Sequence, residues 1–417
     1  MKNNTNKSRA MFLIFLGWLV YTISYLGKVN YSANITQIID FYGITKTQAG
    51  TVPTFFFFSY GIGQVFNGIF CKRYNIKWVI FISLFVSASI NLIIAVSTNF
   101  AIMKWLWMIN GFVLSMLWPT LVRLLSDVLP QKMLGISSVI MGTTVAIGTL
   151  IIYGLSSIFA AFDRFKLSFY TAGIAVIAVS VIWLICYTKA VAMSKAERTE
   201  DDVVPTVAKD SEVPVQGYRD SGEKKLFLMT ICILCFCAVG VNLIKDGLTT
   251  WVPSILKDEF SMSDSLSILL TLFLPIVAVF GNMTALKMHH MIPDYVSQCG
   301  LVFGIIALFI CAIIGSLSLE LIVFMLIGLV VANFLASSLN SLITSIFPLF
   351  MRGKVNSGLF AGVLNGFCYL GSAMSSYGLG AIADHLGWTA VFMVLMGFCS
   401  VMLIIWAIYA CVKRRLV

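Results

Sequence analysis

The chain has 417 residues, of which 59% are hydrophobic and 11% charged, with a formal net charge of +10. Soluble domains carry about 25% charged residues, so this composition excludes a soluble globular protein and indicates an integral membrane protein. No nucleic-acid partner is expected, because the basic residues follow membrane topology and do not form one binding patch.

A spanning helix needs about 20 apolar residues. Twelve such stretches follow one another at 11–37, 50–70, 77–96, 101–122, 135–160, 168–188, 226–256, 265–286, 296–315, 319–346, 355–381 and 388–412. Several exceed the length a bilayer requires, which implies tilt. Their long, non-alternating character rules out β-barrel strands. The predicted fold class is an all-α integral membrane protein with twelve transmembrane helices.

With the N-terminus placed in the cytoplasm and the sides alternated, cytoplasmic segments hold 21 of the 28 Lys and Arg residues. The opposite side holds five: Lys46, Lys104, Arg164, Lys166 and Lys257. This is the positive-inside pattern, and it predicts a multi-pass protein of the cell (inner or plasma) membrane with both termini cytoplasmic. Residues 11–26 lead straight into a full span, so no cleavable signal peptide is expected. The ten cysteines are scattered, mostly in apolar runs, and read as packing residues.

The longest polar stretch, Lys189 to Lys225, contains Pro205, Pro214, seven basic and eight acidic residues. It reads as a partly disordered cytoplasmic linker. The expected division is an N-terminal six-helix bundle over 1–188, the linker over 189–225, and a C-terminal six-helix bundle over 226–417. The two halves echo each other. Pro130, Met133 and Gly135 recur as Pro348, Met351 and Gly353, each 218 residues later, and Lys28 is followed 217 residues later by Lys245. Agreement of two separate features on nearly one offset indicates a parallel duplication, and such halves enclose a substrate site near the midplane.

Lys28 and Lys245 sit in the middle of hydrophobic segments. A lysine at a bilayer centre costs about 2.5–3.5 kcal/mol on insertion scales, so each needs a partner, a water-filled cavity or an anionic ligand. Facing each other across a cavity, two ammonium groups repel unless an anion such as phosphate, phosphonate or carboxylate lies between them. Asp246 is adjacent, but neighbouring helix positions diverge by about 100°, which argues against a direct pair with Lys245. Tyr21 and Tyr25 share the helix face of Lys28 and can donate hydroxyl hydrogen bonds to a substrate. Asn30 and Tyr31 suit helix packing and substrate contact equally.

Arg123 and Asp127, four apart at a helix end, suit either a gating ion pair or a plain helix-surface pair. Gly142, Gly148, Gly358, Gly362, Gly366 and Gly371 suit close helix packing. His289 and His290 fall in a predicted loop. No phosphate-cradling nucleotide loop, metal constellation or catalytic triad is evident, so neither an enzyme nor a cofactor is expected.

Four stretches carry a resemblance: YLGKVN (Tyr25 to Asn30), NGFVLSMLWPTLVR (Asn110 to Arg123), LIKDGLTTWVPSIL (Leu243 to Leu256) and NGFCYLGSAMSSYGLGAIADHLGWTAVFMV (Asn365 to Val394). They resemble the first, fourth, seventh and eleventh-to-twelfth helices of the organophosphate:phosphate antiporter family within the major facilitator superfamily. The resemblance implies two pseudo-symmetric six-helix bundles and exchange of inorganic phosphate for sugar phosphates or glycerol phosphate by rocker-switch alternating access. It implies that Lys28 and Lys245 form the phosphate clamp, both standing in arginine positions, and that Tyr21, Tyr25 and Tyr369 line the site. Gln64 stands where a lysine is common, and Thr144 where a histidine is found. Val29 replaces a second cation of glycerol-phosphate carriers. With fewer cations, and lysine's point charge in place of arginine's fork, the substrate is expected to be a small anion, either a phosphate ester or a carboxylate. Inorganic phosphate or a proton would be the coupling ion, and the protein is expected to be a monomer.

YLGKVN and GLTTWVP also resemble the related anion:cation symporters of sugar acids and other carboxylates, although that family usually lacks a cation at the position of Lys245. A transporter-like organophosphate sensor is the third reading.

Overall fold

A computed structural model describes residues 2–70, 73–195, 221–350 and 357–416. The helices are α1 (Lys2–Ala33), α2 (Ile35–Tyr42), α3 (Lys46–Phe70), α4 (Ile76–Val96), α5 (Met103–Ser115), α6 (Leu117–Val128), α7 (Gln131–Gly142), α8 (Thr144–Ala160) and α9 (Lys166–Lys195) in the first half. The second half holds α10 (Ser221–Phe260), α11 (Asp264–Thr271), α12 (Phe273–Met291), α13 (Tyr295–Ser318), α14 (Ile322–Ser341), α15 (Phe347–Phe350) and α16 (Ser357–Leu416).

Ten helical stretches among the described residues are long and apolar enough to cross a membrane. The last holds two arms joined at Gly387, whose φ of 78° and ψ of 173° a side chain would resist. Counting these arms separately, and adding the 25-residue α3, gives the twelve crossings expected. Three predicted spans are broken near their middles: the fourth at Met116, the fifth at Thr143 and the eighth at Leu272. At Thr143 the hydroxyl bonds back to the Ile140 carbonyl and accepts from Trp18 Nε1 at 3.0 Å, drawing the backbone out of register.

Helices run past two of the expected span ends. Helix α9 continues to Lys195 and α10 begins at Ser221, so helix occupies both ends of the stretch read as a linker. The rest of that linker, and Met351 and Gly353 of the repeat, lie outside the described residues. His289 and His290 sit in the last turn of α12, not in a loop, and the His289 ring stacks on Tyr295 with centroids 4.4 Å apart.

In a bilayer every backbone polar group must find a partner inside the protein. A proline inside a helix removes one N–H and frees the carbonyl four residues earlier. Three such carbonyls are closed by side chains from other helices. Pro53 frees the Ala49 carbonyl, which accepts from the Tyr31 hydroxyl at 2.9 Å. Pro119 lies four residues beyond Ser115, whose carbonyl accepts from Gln64 Nε2 at 3.3 Å. Pro253 frees the Thr249 carbonyl, which accepts from the Tyr153 hydroxyl at 3.3 Å. Amides tie the first half together in the same way: Asn30 donates to Asn91 at 2.7 Å and Asn110 to the Gly27 carbonyl at 2.8 Å. Asn30 and Tyr31 are therefore packing residues.

The two halves also meet at the face away from the termini. Asp384 on α16 accepts from the backbone N–H groups of Lys46 and Thr47, capping the first turn of α3 across the boundary. Lys46 pairs with Asp258 at 3.1 Å, Lys257 bridges Asp40 and Asp264, and the Ser157 hydroxyl donates to the Ser265 carbonyl at 2.8 Å. Asp384→Ala removes the cap, a contribution of about 0.5–2 kcal/mol. It should shift the population toward separation at this face. The measurement is the spin-label distance between exposed Phe162 and Leu319 in a cysteine-free background, where an unchanged distribution would show that the cap does not hold the halves together.

At the terminus-bearing face, Asp294 caps α13 through Ser297 N–H and receives Lys413 and Tyr409. Burial works against its ionisation, but the hydrogen bonds from Lys413 and Ser297 outweigh burial and hold the carboxyl below its ordinary range. A carboxyl depressed on folding confers stability above its unfolded value of about 3.9 and loses it as pH falls through the folded value. Asp294→Ala should lower thermal stability in detergent by about 0.5–2 kcal/mol at neutral pH, with the gap closing in acid.

Candidate functional site

A cavity of about 280 Å³ lies between the halves, lined by α1, α3, α8, α10, α12, α14 and α16. This is just under the range of about 300–1,000 Å³ typical of small-ligand sites. Lys28 and Lys245 both line it, with Tyr25, Tyr369, Tyr153 and Asp246.

The Lys28 ammonium lies over four aromatic rings: Tyr60 at 4.3 Å, Tyr25 at 4.9 Å, Tyr369 at 5.7 Å and Phe56 at 5.9 Å from the centroids. Ring faces carry negative charge, so they attract the ammonium within about 6 Å, and more strongly once water is excluded. Tyr369 comes from the opposite half and packs on Tyr60 with centroids 4.5 Å apart. Lys245 is held differently. Its Nζ lies 3.3 Å from Asp246 Oδ1, and the other carboxylate oxygen accepts from the Ser372 hydroxyl. This corrects the expectation that the two neighbours diverge. The 100° rule sets the directions of the Cβ atoms, while lysine's four-carbon stem carries the ammonium round the helix to the adjacent carboxylate.

Of the residues expected at the site, Tyr25, Lys28, Lys245 and Tyr369 meet in the cavity. Tyr21 stands behind its wall, in ring contact with Tyr25 at 5.5 Å and Trp118 at 4.8 Å. Gln64 and Thr144 are not among the residues that line this cavity. Gln64 is committed to the Ser115 carbonyl, and buried Thr144 bonds back to Met141 at 2.6 Å. Arg123 Nε and Asp127 lie 3.4 Å apart on α6, and Arg123 also donates to the Tyr74 carbonyl. Sequence reasoning missed Tyr60, which looks like filler inside an aromatic run, and Tyr153, one of several hydroxyl side chains on α8.

The family model described as Major Facilitator Superfamily matches residues 17–363. The chain belongs to that superfamily. Among curated relatives, a "Probable hexose phosphate transport protein" of Chlamydia trachomatis is 21% identical over 96% of this chain and 90% of its own length. "Sugar phosphate exchanger 3" of Homo sapiens is 22% identical over 88% of this chain and 82% of its own. "Membrane sensor protein UhpC" of Escherichia coli is 27% identical, but over 26% of this chain and 25% of its own. These matches are consistent with the organophosphate:phosphate antiporter branch of the superfamily. Among solved structures, a bacterial homolog of the human lysosomal transporter Spinster, inward-facing and occupied, has a TM-score of 0.72 at 13% identity, covering 96% of each chain. A POT family transporter in complex with 5-aminolevulinic acid has a TM-score of 0.70 at 15% identity, covering 97% of this chain and 96% of that one. The superfamily fold and its membrane-transporter class are thereby fixed.

Helices pack closely beneath Tyr25. A β-carbon on Gly148 would collide with the Thr22 carbonyl and sit 2.7 Å from Tyr25 Cβ, whereas Gly142 has open space beside it. Gly371 is tighter still, against the Val239 carbonyl. Gly148→Ala should therefore destabilise by about 1–3 kcal/mol, while Gly142→Ala should be neutral or gain about 0.5–1 kcal/mol. Thermal melts of the two variants in detergent provide the comparison.

Proposed function

We propose that this transporter exchanges a small organophosphate for inorganic phosphate, with Lys28 and Lys245 as the two arms of an anion clamp. The carrying observation is that both intramembrane lysines line one cavity between the halves. Aromatic faces hold Lys28 without spending its charge on a carboxylate. Lys245 shares Asp246, so the charged cavity side chains sum to one positive charge. That balance favours a singly charged phosphate group. Tyr25 and Tyr369 would donate hydroxyl hydrogen bonds to its oxygens, and Tyr21 would support Tyr25 from behind. Gln64 and Thr144 would act through helix packing.

The names of the relatives, hexose phosphate transport and sugar phosphate exchange, support phosphate esters over sugar acids. The basic-residue distribution would place both termini in the cytoplasm of the host. The contacts at the far face would then hold the outer gate shut, with the Arg123–Asp127 pair at the inner one. The two bundles, 1–188 and 226–417, would rock about the cavity as units, in a protein acting as a monomer.

Counterflow in proteoliposomes, with inorganic phosphate, phosphate esters and sugar acids as separate trials, tests this reading. Phosphate and an ester should exchange. If no anion exchanges, a sensing role becomes the better account; if only sugar acids move, the symporter reading takes its place. Lys28→Met and Lys245→Met should each cut exchange by about tenfold or more, with normal insertion and folding. Wild-type rates in both variants would make these lysines structural.

A further inference from the structure

Among the described residues that line the cavity, Asp246 is the one that is acidic. In the wall of an anion site a carboxylate is an anomaly. It repels the ligand that the lysines attract, and it engages one of them, with Oδ1 lying 3.3 Å from Lys245 Nζ. Holding a lysine in this cavity does not require an acid, because aromatic faces hold Lys28.

The carboxylate is also fixed in place. Its Oδ2 accepts from the Ser372 hydroxyl; Ser372 is fully buried and itself accepts from Asn242 Nδ2 at 3.3 Å. The flexible Lys245 stem can swing toward an arriving anion, while Asp246 stays tethered to α16. An oxyanion taken up by Lys245 therefore comes within reach of the Asp246 carboxylate. An ionised carboxylate accepts about four hydrogen bonds and donates none. Ser372 and Lys245 occupy part of that capacity, so what the remainder suits is a donor on the ligand. Among tetrahedral oxyanions that donor is the P–OH of a protonated phosphate, and an O–H···O⁻ bond is about twice as strong as a neutral one. Sulfate matches phosphate in shape and size but carries no such proton.

We infer that Asp246 reads the proton of the phosphate group: the two lysines hold its anionic oxygens, the Asp246 carboxylate accepts from its P–OH, and sulfate is rejected for want of that proton. This rests on the proposed phosphate clamp and makes Asp246 a specificity-determining residue within it. The same contact serves both partners of the exchange, because inorganic phosphate and its monoesters each keep a P–OH as monoanions. A site built around a ligand's hydroxyl rejects an analogue that lacks it far more sharply than a site that only matches shape.

The test uses the full-length protein in proteoliposomes exchanging labelled inorganic phosphate, with unlabelled phosphate, sulfate and methyl sulfate as competitors. Methyl sulfate is a monoanion without a proton, so it separates reading the proton from counting charge. In wild type both sulfur anions should compete at least about tenfold less well than phosphate. In Asp246→Asn, whose amide can donate to an anion oxygen, both should gain at least about tenfold relative to phosphate. Asp246→Ser should move the ratio the same way and serves if the amide variant does not fold. Sulfate competing as well as phosphate in wild type overturns the assignment. Methyl sulfate doing so overturns it too, since charge balance would then be the filter. An unchanged ratio in a folded Asp246 variant is equally fatal. All three outcomes leave the clamp standing. Absence of phosphate self-exchange in wild type overturns the clamp itself, and the role of Asp246 with it.

Discussion

A lysine ammonium inside the hydrocarbon layer has to be held by something, and what holds Lys28 organises the centre of this molecule. Four rings surround it, from α1, α3 and α16. Aromatic faces attract a cation without neutralising it. A carboxylate at the same place would cancel the charge, as Asp246 does for Lys245. The two lysines are therefore not equivalent, although the repeat places them at matching positions. Tyr369, contributed by the opposite half, makes the environment of Lys28 depend on how the halves are apposed. A cation whose surroundings change with the apposition of the two halves suits the proposed binding and release of an anion.

A second constraint, that no backbone carbonyl can go unpaired in lipid, accounts for side chains that otherwise look functional. Gln64 is an instance. A glutamine within a membrane helix invites a substrate role, but its amide is committed to the Ser115 carbonyl next to the Pro119 break. Tyr31 is committed likewise beside Pro53. The prolines that bend these helices and the polar residues that satisfy the bends form one design. A reading that treats each polar residue separately assigns too many of them to the ligand.

The same distinction explains what was legible from residues alone. Composition, span length and charge distribution give twelve helices directly, because the bilayer imposes its thickness on every one of them. Lys28, Lys245 and Tyr25 were legible because charge in hydrocarbon is anomalous and helix periodicity places neighbours on one face. Tyr60 was not, since nothing in a Phe-rich run marks which ring turns toward a cation on another helix. The Lys245–Asp246 contact was misread because periodicity fixes where side chains start, not where a flexible one ends. Thr144, assigned by resemblance, bonds to its own helix. The helix breaks at Met116, Thr143 and Leu272 depend on contacts between helices that no single span announces.

One bond ties these strands together. The Thr249 carbonyl, freed by Pro253 in the second half, is closed by the Tyr153 hydroxyl of the first half. Under the proposed alternating access, that partner belongs to a body that moves away when the far face opens. Lipid tails carry no donor, so in that motion solvent takes the place of the departing hydroxyl. Separation of the halves on that side is then coupled to hydration: the passage opens wet, and a dry opening is disfavoured by the backbone itself. In the proposed cycle the proline break would thereby act as a moisture seal on the passage to the lysines.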